Sequence, residues 1–266
     1  MGLPKNLSFL RFGTGGQTLD IYLDPLCPFS YKCARSLTEN VLPQVREGGK
    51  YAGKLQLIIR PYPQPFRSAA STQFHSDLGV PVSSPVAVSS EQRAAWNTLA
   101  AVTTAWTLGR RSRHRDVQPV KLTCSHYFST YPVEALLCFG ADHPEQWWDY
   151  LLGVFSVQES FFNKPVHDKT PAQVQEAYVK VAEDVLAKAG VASAKEDGKK
   201  LYEQLQVHQK ENGGSVMFEP LKYLIKEGRQ NGIHFTPTAL LNGLEDGSVS
   251  SGWGRSEWDK WLEEKL

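Results

Sequence analysis

The chain has 266 residues, 41% of them hydrophobic and 21% charged, with a formal net charge of +1. That is enough for one large domain or two small ones, and the charge balance gives no reason to expect nucleic acid, a membrane surface or a highly charged substrate as partner. Four cysteines in such a length make no disulfide scaffold, so a reducing, cytoplasmic setting is expected; Met1 to Asn6 lacks the apolar centre of a signal peptide, and no run reaches a membrane span.

Leu7 to Phe12 reads as a first strand, turned by Gly13-Thr14-Gly15-Gly16. The glycine cluster lacks the lysine of a P-loop and the spacing of a dinucleotide loop, so a plain turn is expected. Leu19, Ile21 and Leu23 alternate as a half-buried strand. It stops at Asp24-Pro25, because proline cannot donate to a ladder and restricts the residue before it. Cys27 follows, with Pro28 at the first position of a helix through Ala34, Leu37 and Val41 that ends at Gly48-Gly49. A sulfur at a helix N-terminus lies among unpaired N–H groups at the positive end of the dipole, which favours thiolate over thiol. The alternative is burial as a small hydrophobe, the usual fate of a free cysteine; the order strand, proline break, Cys-Pro and helix favours the reactive reading. Lys54 to Arg60 is a second strand, closed by Pro61, Pro63 and Pro65. Strand, helix and strand form a parallel unit with Cys27 at the carboxyl end of the first strand, the edge where open α/β sheets bind ligands.

From Ser68 to about Gly214 the pattern is mainly helical. Ser89 with Gln92 matches a capping box for a helix through Trp96, Leu99, Val102 and Trp106. Pro144 to Phe162 predicts an aromatic-rich helix. Thr170-Pro171 begins another, with Val174, Tyr178, Val181 and Val185 on one face and Gly190 at its end. Lys199 to Gln209 follows. Aromatic stripes at helical spacing are read as core rather than as a ligand box. Glu219 to Arg229 is a helix ended by Asn231-Gly232, Thr238 to Leu241 a strand, Asn242-Gly243 a hairpin turn and Ser248 to Gly252 its return strand. Ser256 is placed as the cap of a terminal helix carrying Trp258, Trp261, Leu262 and Leu266. Pro237, just before a strand, is tolerated there but uncommon.

Asp24-Pro25-Leu26-Cys27-Pro28-Phe29-Ser30 and Phe235-Thr236-Pro237-Thr238-Ala239-Leu240-Leu241-Asn242-Gly243 together resemble the active-site pair of thioredoxin-fold proteins. The long helical insertion is similar to the DsbA-like branch, which includes kappa-class glutathione transferases and hydroxychromene-carboxylate isomerases. Arg60 to Pro65, and Trp148 to Val166 with Phe155, Gln158 and Phe161-Phe162, also resemble DsbA-like proteins of eukaryotic microbes. The resemblance implies an α/β fold: a thioredoxin-like mixed sheet with a large helical insertion between the second strand and the cis-proline strand. Residues 1–66 and 215–266 would form the thioredoxin-like domain and 67–214 the insertion. It implies Cys27 as nucleophile and Ser30 as a stabiliser of its thiolate. Pro28, Phe29, Thr236 and a cis Pro237 would bind substrate, with the Thr236 backbone pairing like a strand. It implies a thiol or disulfide substrate, small molecule or protein, and glutathione as co-substrate, with no tightly bound cofactor and no metal; a homodimer is compatible with it.

Ser30 stands where a dithiol motif has its second cysteine, which disfavours an intramolecular disulfide cycle. Cys33 replaces it poorly: six helical residues put it about 9 Å along the axis and about 240° round it, whereas bridged Cα atoms lie within roughly 7 Å. The motif therefore resembles monothiol chemistry resolved by an external thiol. Kappa-class enzymes and the isomerases carry serine at the position of Cys27, so a glutathione-dependent transferase or isomerase is the alternative, and a non-catalytic binding protein of the same fold the other. Residues 77–132 interrupt the insertion with a proline- and serine-rich stretch at Pro81 to Ser90 and the run Arg110 to Arg115. A lid, a partner-binding loop, a surface excursion and translated non-coding sequence all fit, the bland options being favoured over a functional one; one arginine run in a near-neutral chain is read as a solvated loop. Cys124-Ser125-His126 with Cys138 and His143 offers metal-ligand types at no familiar zinc spacing, and cluster ligation by a monothiol lacks the cysteines. Asp24 and Lys32 flank the thiol, and His234 lies near Thr236-Pro237; solvated side chains are the default reading of Lys32 and His234.

Overall fold

The structure, a computed structural model, describes residues 3–64, 66–67, 123–124, 126, 128–207 and 213–266. Three expectations fall on residues outside this set: the helix begun at Ser89, the stretch Pro81 to Ser90 and the arginine run Arg110 to Arg115. The described residues within 3–67 and 124–266 make one compact unit.

Its centre is a mixed five-stranded sheet in the order β1-β3-β2-β6-β7. β2 (Gln17–Leu23) is the middle strand, parallel to β3 (Leu55–Pro61) with Leu19 opposite Leu57, and antiparallel to β6 (Thr238–Leu241) with Leu19 opposite Leu241. β1 (Arg11–Phe12) and β7 (Leu244–Glu245) are short antiparallel edges on β3 and β6. Two further short strands, β4 (Phe66–Arg67) and β5 (Thr123–Cys124), lie outside this sheet. Because side chains alternate across a strand, β2 serves two cores at once. Leu19, Ile21 and Leu23 enter the main core with Ala34, Leu37, Trp258 and Leu262, while Tyr22 joins Tyr62, Ile233 and Leu240 in a second cluster.

α1 (Pro28–Asn40) is followed at once by the short α2 (Leu42–Val45), the second carrying Pro43. α3 (Thr130–Asp142), α4 (Trp147–Ser156), α5 (Asn163–Val166), α6 (Pro171–Lys188) and α7 (Ala194–Leu205) form the insertion. α8 (Phe218–Gln230) leads to β6, and α9 (Arg255–Lys265) ends the chain. The aromatics of α4 are packing. Trp147 and Phe155 are fully buried, Trp147 donates its indole N–H to Leu136 O at 2.9 Å, and Phe155 stacks on Tyr31 of α1. A buried indole needs such an acceptor, since an unmet N–H costs about 1–3 kcal/mol.

Several local expectations are corrected. Residues Lys5–Leu10 form a 3-10 turn, and only Arg11–Phe12 pair as strand. Leu7 and Leu10 are both fully buried, which a three-residue period allows and strand alternation does not. The helix of Cys27 ends at Asn40, well before Gly48-Gly49. Gly15 is required by close approach, because a Cβ there would overlap the Lys54 backbone. Pro144 to Phe162 resolves into α4 and a 3-10 turn at Gln158–Phe161. The helix expected at Lys199 to Gln209 begins earlier, at Ala194. Asn242 and Gly243 both have positive φ, 52° and 84°, so the hairpin returns after two residues, at Leu244 rather than Ser248. Gly254, not Ser256, caps α9: its N–H donates to Glu257 Oε2 at 3.1 Å. Thr170 does cap α6, in a reciprocal box with Gln173.

Candidate active site

The site lies where β2 runs out and α1 begins. Asp24 leaves the strand, and the Cys27 N–H donates to Asp24 O at 2.9 Å, closing a turn across Pro25-Leu26. Cys27 is extended, at φ −90° and ψ 120°, and is the N-cap of α1, with Pro28 in the first turn. Ser30, three residues on, is buried, and its Oγ accepts the Asp24 N–H at 3.2 Å. The hydroxyl keeps a proton of its own to donate.

The second half of the site comes from 209 residues later. The Thr236–Pro237 peptide is cis, and Cys27 Sγ donates to Thr236 O at 3.3 Å. Its side chain makes no cap hydrogen bond in α1; the thiol hydrogen is directed to the Thr236 carbonyl. The loop is fastened by Thr238, whose Oγ1 donates to Phe235 O at 2.8 Å. Thr236 Oγ1 is buried with no hydrogen-bond partner among the described residues. Pro28 is exposed, Phe29 and Pro237 are half-buried, and Phe235 is 57% exposed, so apolar surface flanks the site on both sides. Cys27 itself is buried.

Asp24 is the residue whose weight the sequence understated. Its carboxylate is fully buried. Oδ1 accepts the Leu26 N–H at 2.8 Å, and Oδ2 accepts the Gln64 N–H at 3.1 Å and faces His126 Nδ1 at 2.9 Å. The signal available was an acidic residue three positions before the cysteine; nothing in the spacing pointed to His126, 102 residues away.

Other candidates fall elsewhere. Cys33 is buried on α1, and burial, followed by the nearby Cys27, pushes its thiol up to about 12. Burial likewise pushes the Cys138 thiol up to about 12. Cys27, Cys33 and Cys138 are all thiols. Lys32 and His234 are exposed. His126 pairs with Asp24, and His143 Nε2 lies 3.6 Å from Asp197. Among the described residues no three His, Cys, Asp or Glu side chains are grouped to hold a metal ion, and no helix is long and apolar enough to cross a membrane.

With that geometry in view, the solved structure of a Pseudomonas syringae protein described as a protein-disulfide isomerase superposes at TM-score 0.55, with 20% identity over 97% of this chain and 99% of that one. The fold is thioredoxin-like, a mixed sheet with a helical insertion. DsbA of Chlamydia trachomatis has TM-score 0.46 at 13% identity, covering 99% of this chain and 93% of its own. MdbA of Actinomyces oris, a thiol-disulfide oxidoreductase, has 0.46 at 10%, covering 94% and 82%. No family model matches the chain, and no curated protein does.

Proposed function

We propose that the protein is a thiol-disulfide oxidoreductase that works through the single nucleophile Cys27. The observation that carries this reading is the 3.3 Å contact between Cys27 Sγ and Thr236 O at the cis Thr236–Pro237 peptide. It puts a sulfur at a helix start beside an extended backbone that can pair with an incoming chain. In the reaction Cys27 loses its proton and its sulfur attacks one sulfur of a disulfide. A mixed disulfide forms on Cys27 and the other half departs as a thiolate. An external thiolate, glutathione being the proposed co-substrate, then attacks the substrate sulfur of that mixed disulfide and regenerates the Cys27 thiolate. Ser30 holds the turn through Asp24 and can swing its proton to the sulfur, while Pro28, Phe29, Thr236 and Pro237 bind the substrate backbone and its apolar side chains. The need for an external thiol fits a reducing compartment such as the cytoplasm.

One observation favours a second reading, a binding protein that keeps the fold without the chemistry: Cys27 has no exposed surface. Glutathione-dependent exchange with a small disulfide separates the two. The oxidoreductase reading expects turnover that Cys27→Ser abolishes. An absence of turnover, with native Cys27 alkylated no faster than Cys33 and Cys138, selects the binding protein. Turnover that survives Cys27→Ser would point to transferase or isomerase chemistry on bound glutathione.

A further inference from the structure

Asp24 carries five hydrogen bonds at the turn that presents Cys27. Its backbone N–H goes to Ser30 Oγ and its carbonyl receives the Cys27 N–H. Its carboxylate receives the Leu26 and Gln64 N–H groups and faces His126. A fully buried carboxylate is costly unless its lone pairs are met. Two of the partners are backbone groups supplied by the turn itself and by the loop after β3. The third, His126, is a side chain, and evolution or an experimenter can remove it without altering either loop. In the tautomer with its proton on Nδ1 the ring donates to that carboxylate, and its plane lies 12° from that of Phe162, with the ring centroids 6.4 Å apart. His126 is itself buried, at 6% exposure, so its partner choice is Asp24 rather than water.

We propose that His126 is a positioning residue for Cys27, acting through Asp24 to fix the Leu26–Cys27 turn and so to hold the sulfur at the Thr236 carbonyl. The chemical consequence rests on Cys27 being the nucleophile; the geometric one does not. Without the histidine, Asp24 Oδ2 retains only the Gln64 N–H among the described residues, and the carboxylate has reason to rotate toward water and release Leu26.

The test uses the full chain with His126→Ala and His126→Asn, the latter placing an amide N–H where Nδ1 stands. Amide hydrogen exchange at Leu26 and Cys27 reads the turn, and exchange of Cys27 with glutathione disulfide reads the chemistry. Loss of one charge-assisted bond predicts roughly tenfold faster amide exchange in the alanine variant and a similar fall in the disulfide-exchange rate, with the asparagine variant within about twofold of wild type on both. A helix amide remote from the turn, such as that of Leu186, should be unchanged. Wild-type protection of Leu26 and Cys27 in His126→Ala, or an asparagine variant as loose as the alanine one, overturns the proposal. If His126→Ala does not fold, His126→Asn decides alone: native protection supports the assignment and its loss refutes it. A wild-type protein inert to glutathione disulfide, with amide protection that still depends on His126, would instead overturn the oxidoreductase reading and leave the positioning role standing.

Discussion

Replacing Arg60 by methionine should be among the most damaging single changes in the protein. The guanidinium is 2% exposed, with Nε 2.6 Å from Asp20 Oδ1 and Nη1 3.6 Å from Glu227 Oε2. Tyr22 donates to Glu227 Oε2 at 2.6 Å, and Asn231 Nδ2 donates to Glu227 Oε1 at 2.6 Å. Burial disfavours the Arg60 charge, but the Asp20 and Glu227 carboxylates outweigh it and hold the group above its ordinary value. Methionine keeps most of the stem and removes the cation, leaving two buried carboxylates without it. Breaking one buried pair costs about 3–5 kcal/mol, and with two carboxylates stranded the upper end applies, near 5 kcal/mol. At about 2–4 °C per kcal/mol for a chain of this size, the melting midpoint should fall by roughly 10–20 °C. Urea unfolding followed by circular dichroism measures this. A loss below about 1.5 kcal/mol would refute the view that Arg60 is the compensating charge of this cluster.

Glu134 is raised by burial, with Ser215 hydrogen bonds opposing. A carboxyl raised on folding contributes stability below its unfolded value and loses it as pH rises through the folded one. Glu134→Gln, which keeps an acceptor for Ser215, should therefore match or exceed wild-type stability at pH 7 and show no advantage at pH 4, as read by thermal melts. Gly228→Ala puts a Cβ into the Tyr62 ring and should destabilise by about 1–3 kcal/mol, measured by urea titration; an unchanged midpoint would mean that α8 can shift off the sheet. Cys33→Ala should leave the rate of exchange with glutathione disulfide within about twofold of wild type, because that thiol is buried and held high; a large loss would make Cys33 a resolving thiol after all.

What the sequence determined by itself was the set of elements whose signals are local. β2 followed from Leu19, Ile21 and Leu23, β6 from the short run Thr238 to Leu241 before the turn Asn242-Gly243, and α6 from Thr170-Pro171 with the face Val174, Tyr178, Val181 and Val185. The pairing of Cys27 with Thr236-Pro237 was legible as a motif resemblance, because a proline just before a strand is uncommon enough to mark its place. Local signals failed where two periodicities competed over few residues, as at Leu7 to Phe12, and where a cap can be supplied by backbone, as at Gly254. Only the tertiary structure decided which way the Cys27 sulfur turns and that Asp24 is buried. It alone brought His126 to Asp24 across 102 residues and gathered Asp20, Arg60 and Glu227 beneath the sheet. The reason is physical: a buried charge is defined by the partners that the fold brings to it, and in the linear chain Asp20, Asp24 and Glu227 look like any solvated carboxylate.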